Sequence, residues 1–564
     1  MLRSLQKRRS TNKVLKVLAA IAVIICLAAC TSIQWHGINI LKQRVDDQEY
    51  EGGTIDDVRL IKCFHWFGSC RVIYDQLNSG EKFVPWLRVR KDITDEKIFA
   101  VEHGLFYNSF LYVHPSTVEG DHGCISDLVI ARDKSAVPMR VLQDINDKIR
   151  SKDSSMFHKH DQKLGFWAQL LGRKSENLAV RGEDWHYKRS GVWCKYALVH
   201  SANEGKLVTN VQLFVGKGFA ESRSMWRSAV TELPRKGGAP LSISVEKFDS
   251  NQVPQKYASE GHLFMRDGKF KILQISDLHI GSSDHIGDPQ KTSDQLTTQF
   301  ISHVLEIEDP DLVIVTGDLI DGAVTLDYQT ALLKALQPMI SRGTPWVVSW
   351  GLSDYSRFAP RGHLSKFVQQ LPYCLVGTIK NIANLATPNT TNSAITLNKN
   401  DEVVGIIYIL DSSAAENPID FMKAAHKHTI ESLTGALTYS LAFQHSPIPE
   451  YRPVGKFPII GSFNEKGPLD VAQFGISDVL NDLGVQTLSC GKEHENDCCL
   501  FVKNVWLCYG GQTGVAGYSP AERQTSVVRL FRVDDNIREI TTWKRNINNP
   551  KAVYDYQFLF NDEH

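Results

Sequence analysis

Phe270-Lys271-Ile272-Leu273-Gln274-Ile275-Ser276-Asp277-Leu278-His279 opens on alternating residues and closes on Asp-x-His. The alternation reads as a half-buried strand, and the Asp267-Gly268 break before it marks the start of a folded unit. A strand that ends this way presents an anionic oxygen and an imidazole at one edge of a sheet, the ligand types a divalent cation takes. About forty residues on, Leu312-Val313-Ile314-Val315 is a short buried strand that runs into Thr316-Gly317-Asp318 and Asp321. A carboxylate has two oxygens, so Asp318 is placed to bridge two cations about 3.5–4 Å apart.

Between these strands, residues 293–307 have apolar residues at helical spacing, which gives a strand, helix, strand unit. Further apolar strands are expected at 346–348, 403–410, 441–443 and 485–488, with helical stretches such as 332–340 between some of them. Alternation of this kind implies an α/β domain.

Several blocks then follow in a fixed order: Gly351-Leu352-Ser353-Asp354, Leu410-Asp411-Ser412, Gln444-His445-Ser446-Pro447, Gly491-Lys492-Glu493-His494 and Cys508-Tyr509-Gly510-Gly511. With them the chain resembles the calcineurin-like metallophosphoesterases over roughly residues 268 to 545, in the fungal and plant branch related to purple acid phosphatase 29 and a yeast cell-cycle regulator phosphatase. The resemblance implies a metallophosphoesterase sandwich of two mixed sheets flanked by helices. It implies a first metal on Asp277, His279, Asp318 and His494, and a second sharing Asp318 and taking His445. The family's remaining positions have changed. Its metal-binding Asn is Leu352, its proton-donating His is Ser353, and the first His of its Gly-His-x-His is Lys492.

Leucine offers no lone pair, serine is no cationic proton donor, and an ammonium repels a dication. One divalent ion (Fe, Mn or Zn) is therefore expected rather than two, with His445 and Lys492 orienting an anionic ester beside it. Asp321, Asp354 and His285 read as supporting or surface groups rather than replacement ligands. Two functions compete: a regulatory pseudophosphatase, and a weakly active phosphomonoesterase or protein phosphatase. The resemblance extends to a divergent yeast paralogue group linked to glucose-dependent activation of the plasma-membrane proton pump, which implies a signalling role.

Outside this domain, residues 1–16 carry Arg3, Lys7, Arg8, Arg9, Lys13 and Lys16 without an acid and lead into the apolar segment 17–34. That pattern is expected to form a single-pass signal anchor of type II topology, with the basic tail cytosolic and the rest lumenal or extracellular. A cleaved secretory signal, or lipidation at Cys30 in Leu27-Ala28-Ala29-Cys30, are the alternatives. Residues 35–57 read as a stem and 58–250 as a mostly β domain, with short apolar runs such as 98–101, 110–113 and 211–215 between charged turns. Residues 546–564 read as a C-terminal tail.

Lys and Arg equal Asp and Glu at 63 each, so the charge points to no nucleic-acid partner. His158 and His160 lack a carboxylate or cysteine cluster around them and read as solvated, while Trp185, Trp193 and Trp226 read as core anchors. Of the eleven cysteines, Cys63 with Cys70, and Cys490 with Cys498 or Cys499, are near enough to pair locally in an oxidising compartment. The Asn389-Thr390-Thr391 sequon reads as a surface loop.

Overall fold

The computed structural model describes residues 54–64, 72–74, 85–89, 91, 107–116, 123–130, 185–187, 192–198, 207–235, 238–247, 262–281, 292–356, 359–376, 392–400, 402–412, 418–431, 437–452, 455, 458–469, 475–517 and 525–561. The anchor segment, His158, His160, the Trp185 side chain, His285, the sequon and the Cys63–Cys70 pair lie outside the described residues or side chains. Among the described residues no helix is long and apolar enough to cross a membrane.

The first unit is built from β1 (Ile55–Phe64), β2 (Val72–Tyr74), β3 (Pro85–Arg88), β4 (Tyr107–Pro115), β5 (Gly123–Ile130), β6 (Trp185–Tyr187), β7 (Val192–Leu198), β8 (Val208–Val215), β9 (Trp226–Arg235) and β10 (Gly238–Lys247). They form three antiparallel sheets, ordered β1-β4-β3-β2, β5-β7-β6 and β8-β10-β9. Inward residues of all three, among them Leu111, Ile125 and Val211, share one apolar core. Trp193 is buried, and Trp226 lies under the Arg223 guanidinium at 3.6 Å.

The second unit opens with β11 (His262–Phe264) and β12 (Lys269–Ile275), followed by α1 (Ser293–Glu308), β13 (Leu312–Val315), α2 (Tyr328–Arg342), β14 (Trp346–Val348) and α3 (Arg361–Val368). After these come β15 (Ser393–Lys399), β16 (Glu402–Ile409), α4 (Pro418–Glu431), β17 (Tyr439–Gln444), α5 (Ile476–Asp482), β18 (Thr487–Cys490), β19 (Cys499–Val502) and β20 (Val505–Tyr509). The chain ends on β21 (Val527–Asp534), β22 (Glu539–Asn546) and β23 (Asn549–Asn561). α1 begins in a reciprocal cap between Thr292 and Gln295, and α2 ends on Gly343 in the left-handed conformation.

Two mixed sheets result, one of seven strands (β11-β15-β16-β17-β18-β20-β19) and one of six (β14-β13-β12-β21-β22-β23). Phe443 of β17 meets Phe531 of β21 edge-to-face at 5.4 Å, which fixes the sheets face to face. The core between them continues under α1, α2 and α3, while a separate apolar cluster packs α4 and α5 on the outer face of the seven-stranded sheet. The sandwich flanked by helices is the architecture the sequence implied.

The structure corrects two expectations here. Residues 549–561 are not a tail but the edge strand β23, paired antiparallel with β22 and burying Gln557 and Leu559. Among the described residues a disulfide joins Cys499 to Cys508, directly opposed in the β19–β20 hairpin, whereas Cys490 and Cys498 are buried free thiols. Proximity in sequence favoured 490 with 498 or 499, but strand register decides which side chains meet. Closing so short a loop contributes about 2–3 kcal/mol. Cys499→Ser with Cys508→Ser should lower the denaturant midpoint accordingly, and an unchanged midpoint would contradict the bridge.

The two units are packed together. Phe214 and Phe219 of the first belong to the core of the second. Lys91 reaches across to Asp327, the N-cap of α2, with Nζ 2.5 Å from the carboxylate.

Candidate metal centre

Parallel pairing of β12 with β13, in register from Ile272↔Leu312 to Ile275↔Val315, brings the two strand-end motifs side by side. The pairing continues past the strands: Asp277 N–H donates to the Gly317 carbonyl and His279 N–H to that of Asp318, each at 3.0 Å. Asp277, His279, Asp318 and Lys492 all have positive φ, between 47° and 70°. Left-handed backbone at non-glycine residues costs about 1–2 kcal/mol each, so their concentration marks a site held in place by its surroundings. Gly491 is required for a different reason. A Cβ there would lie 1.9 Å from Ser276 Oγ and 2.7 Å from the Thr316 carbonyl, so only glycine lets the last motif close on the first.

The five ligands named from the sequence come together. Asp277 is fully buried, and His279, Asp318, His445 and His494 are all under 8% exposed. Asp277, His279 and His494 offer ligand atoms within 4.8 Å of one another, as do Asp277, Asp318 and His445. The Nε2 atoms of His279 and His494 are 3.3 Å apart, and His494 Nε2 is 3.6 Å from Asp277 Oδ1. His445 sets Nδ1 against the Thr316 carbonyl at 2.8 Å, which fixes the proton on Nδ1 and turns the Nε2 lone pair inward. That Nε2 is buried, has no hydrogen-bond partner, and faces Asp318 Oδ1 at 3.5 Å.

Converging lone pairs of this kind fit a cation. Burial opposes the charge on Asp277, yet its hydrogen bond and charge contact with His494, with His445 and His279 behind, hold its pKa below the usual carboxylate value. Burial lowers the pKa of His279, against the pull of Asp318 and Asp277, which favours the neutral imidazole a metal needs.

The second position is different. Leu352 is 48% exposed and offers no lone pair. Ser353 donates to Asp318 twice, from its backbone N–H to Oδ1 at 2.8 Å and from its hydroxyl to Oδ2 at 2.9 Å. Each oxygen of the would-be bridging carboxylate thus already gives one lone pair to Ser353.

Lys492 also departs from expectation. Its ammonium donates to the Pro468 carbonyl at 3.3 Å instead of facing the centre, and its backbone N–H is what reaches Asp277, at 3.1 and 3.2 Å from the two oxygens. The cause is the positive φ at 492, which turns the peptide N–H inward and the side chain out.

Two residues hold the ligands from behind: Asp354, read from the sequence as a supporting or surface group, and Glu493, to which no role was assigned. Asp354 is wholly buried and accepts the backbone N–H groups of Asp318 (3.0 Å), Ile320 (2.9 Å) and Gly351 (2.7 Å). Burial, and then the charge of Asp318, push its pKa up to about 7. Glu493 anchors the last motif: Tyr509 and Asn496 donate to Oε2 at 2.6 and 2.7 Å, Gly467 N–H donates to Oε1 at 2.7 Å, and Arg452 pairs with it. Only their places beside ligand residues hinted at either.

Residues 270–475 match a family model described as calcineurin-like phosphoesterase. Protein SIA1 of Kluyveromyces lactis is 31% identical, over 95% of this chain and 96% of its own. Phosphatase DCR2 of Saccharomyces cerevisiae is 33% identical over 52% of this chain and 56% of its own. Probable inactive purple acid phosphatase 28 of Arabidopsis thaliana is 28% identical, over 53% and 85% respectively.

Proposed function

This chain belongs to the calcineurin-like phosphoesterases, in the branch of its fungal relatives, and from that premise we propose that it is a regulatory pseudophosphatase with one divalent cation. The observation that carries the reading is the pair of hydrogen bonds from Ser353 to Asp318, at 2.8 and 2.9 Å, with the half-exposed Leu352 beside it. Together they leave no side-chain lone pair at 352 for a second ion and no imidazole at 353, and they engage one lone pair on each oxygen of the bridging carboxylate. The relative named a probable inactive purple acid phosphatase points the same way.

Asp277, His279, Asp318 and His494 would hold the ion, and their mixed oxygen and nitrogen donors suit Zn, Mn or Fe. Bound there, it supplies a Lewis acid for a phosphoryl oxygen. The chain's own residues fix its place: Thr316 sets the His445 tautomer, and the Lys492 N–H orients Asp277. Completeness of this first ligand set favours a second reading, a weakly active phosphomonoesterase or protein phosphatase.

The basic, then apolar, N-terminus supports a type II membrane anchor with the phosphoesterase domain lumenal or extracellular. The resemblance to the fungal paralogue group directs the search for a partner to the plasma-membrane proton pump. Cells that lack the chain should then show a smaller glucose-triggered proton efflux, restored by the full-length protein; an unchanged efflux removes the pump from consideration.

Metal analysis of the purified protein alongside hydrolysis of an aryl phosphate tests the site. One ion per chain and no turnover above buffer are expected. Leu352→Asn, Ser353→His and Lys492→His combined should raise the metal content toward two. Two ions and rapid turnover in the unmodified protein would refute the pseudophosphatase reading.

A further inference from the structure

We propose that a cleft of about 370 Å³ at one end of the six-stranded sheet binds a neutral, hydroxyl-rich ligand, a sugar or cyclitol. It is lined by the end of β22, the middle of β23, Thr525 and Val527, the segment around Ser462 and Asn464, and Glu495 and Asp497. None of these residues belongs to the candidate metal centre. The volume lies in the range of small-molecule sites, of about 300–1,000 Å³.

The chemistry of the lining narrows the ligand. Lys544, its side chain 4% exposed, sits between two carboxylates, 2.8 Å from Asp497 and in direct contact with Asp555. Ser462 N–H holds the other oxygen of Asp497 at 2.6 Å. Arg545 is committed to Glu308 at 2.6 Å and to the Lys551 carbonyl. Both cations of the lining are therefore matched by carboxylates of the fold, and Glu495 adds another acid. An anionic ligand would meet the carboxylates of Asp497 and Asp555 with both cations of the described lining already engaged.

A metal dication is excluded by the ammonium of Lys544, which occupies the space between Asp497 and Asp555. An apolar ligand would strip water from Asn464, Asn546, Thr525 and Asp555 and return no hydrogen bond. A hydroxyl both donates and accepts. A polyol can therefore donate to the remaining lone pairs of Asp555 and Asp497, and accept from the amides of Asn464 and Asn546. Tyr554, 37% exposed, gives the cleft an aromatic wall for the C–H face of a ring. The ion pairs at the floor hold these oxygens in place before a ligand arrives, which reduces the cost of binding.

Free sugar, a protein-borne glycan and an inositol lipid headgroup share this chemistry, and the test separates them. Full-length protein in a detergent without a sugar headgroup is titrated with mannose, glucose, N-acetylglucosamine, myo-inositol, a released N-glycan and phosphatidylinositol vesicles. Inorganic phosphate and spermidine serve as comparison ligands, and saturation-transfer NMR and calorimetry are the readouts. At least one neutral polyol should bind, and Tyr554→Ser and Asn546→Ala should each weaken it by about tenfold. Tyr554 is solvent-facing, Asn546 also accepts the Asn549 N–H at 2.9 Å in the β22–β23 turn, and thermal unfolding checks that each variant stays folded. Absence of polyol binding by the folded protein overturns the proposal. So does polyol binding that survives both substitutions, or phosphate or spermidine binding that the substitutions abolish.

Discussion

Asp327→Ala is expected to cost about 3–5 kcal/mol and to divide the unfolding of the chain into two transitions. The carboxylate has two duties. As N-cap of α2 it accepts from Gln329 N–H at 3.2 Å and from the Thr330 hydroxyl at 2.9 Å. As the link between units it receives Val215 N–H at 2.9 Å and Lys91 Nζ at 2.5 Å. A lost cap alone costs about 1 kcal/mol. The rest comes from taking the carboxylate away from the Lys91 ammonium, 17% exposed, which keeps the neutral Leu213 carbonyl and Gln329 amide among its partners.

Lys91→Met should cost far less, because Asp327 keeps its cap and the Val215 contact, and methionine can pack on Phe214, over which the ammonium now lies at 4.9 Å. The double substitution should cost less than the sum of the two, since removing both charges leaves neither stranded. Calorimetry and limited proteolysis between the units are the measurements. A single transition in Asp327→Ala, or strict additivity in the cycle, would show that this pair does not hold the units together.

The Lys91–Asp327 link also shows why the sequence was legible in some places and opaque in others. β12 and β13 were readable because each is a local pattern, an apolar run that ends in a ligand motif, and parallel pairing follows once the helix between them is recognised. The five metal-facing residues were readable because each motif occupies a strand end, where the fold admits one arrangement. Lys91 and Asp327 are 236 positions apart, and nothing local to either announces the other.

β23 was missed because its alternation is broken at Asp555, which has positive φ, and Pro550 near its start argues against a strand. Lys492 was placed correctly in sequence and wrongly in space, since a single left-handed residue reverses which of its groups faces the site. Identity of a residue is a sequence property, whereas the direction of its side chain is set by backbone torsion and register.

Asp354 is where that distinction has the largest consequence for the site. Its Oδ2 takes the N–H groups of Asp318 and Gly351, and its Oδ1 takes that of Ile320. Alanine would leave three buried donors unpaired, a cost of about 3–6 kcal/mol, and would free the left-handed turn that aims Asp318. Asparagine, nearly the same shape, keeps one accepting oxygen but sets an NH₂ group against the remaining donor. It should cost about 2–3 kcal/mol and still misdirect the turn. Metal affinity should fall in the same order, by about 10–100-fold for asparagine, the usual penalty for losing a group that orients a ligand, and further for alanine. Isothermal titration with Zn²⁺ or Mn²⁺, beside denaturant unfolding of the metal-free protein, separates the two effects. If Asp354→Asn binds metal as tightly as the parent, the carboxylate does not position Asp318, and the first ion's site stands on its own ligands alone.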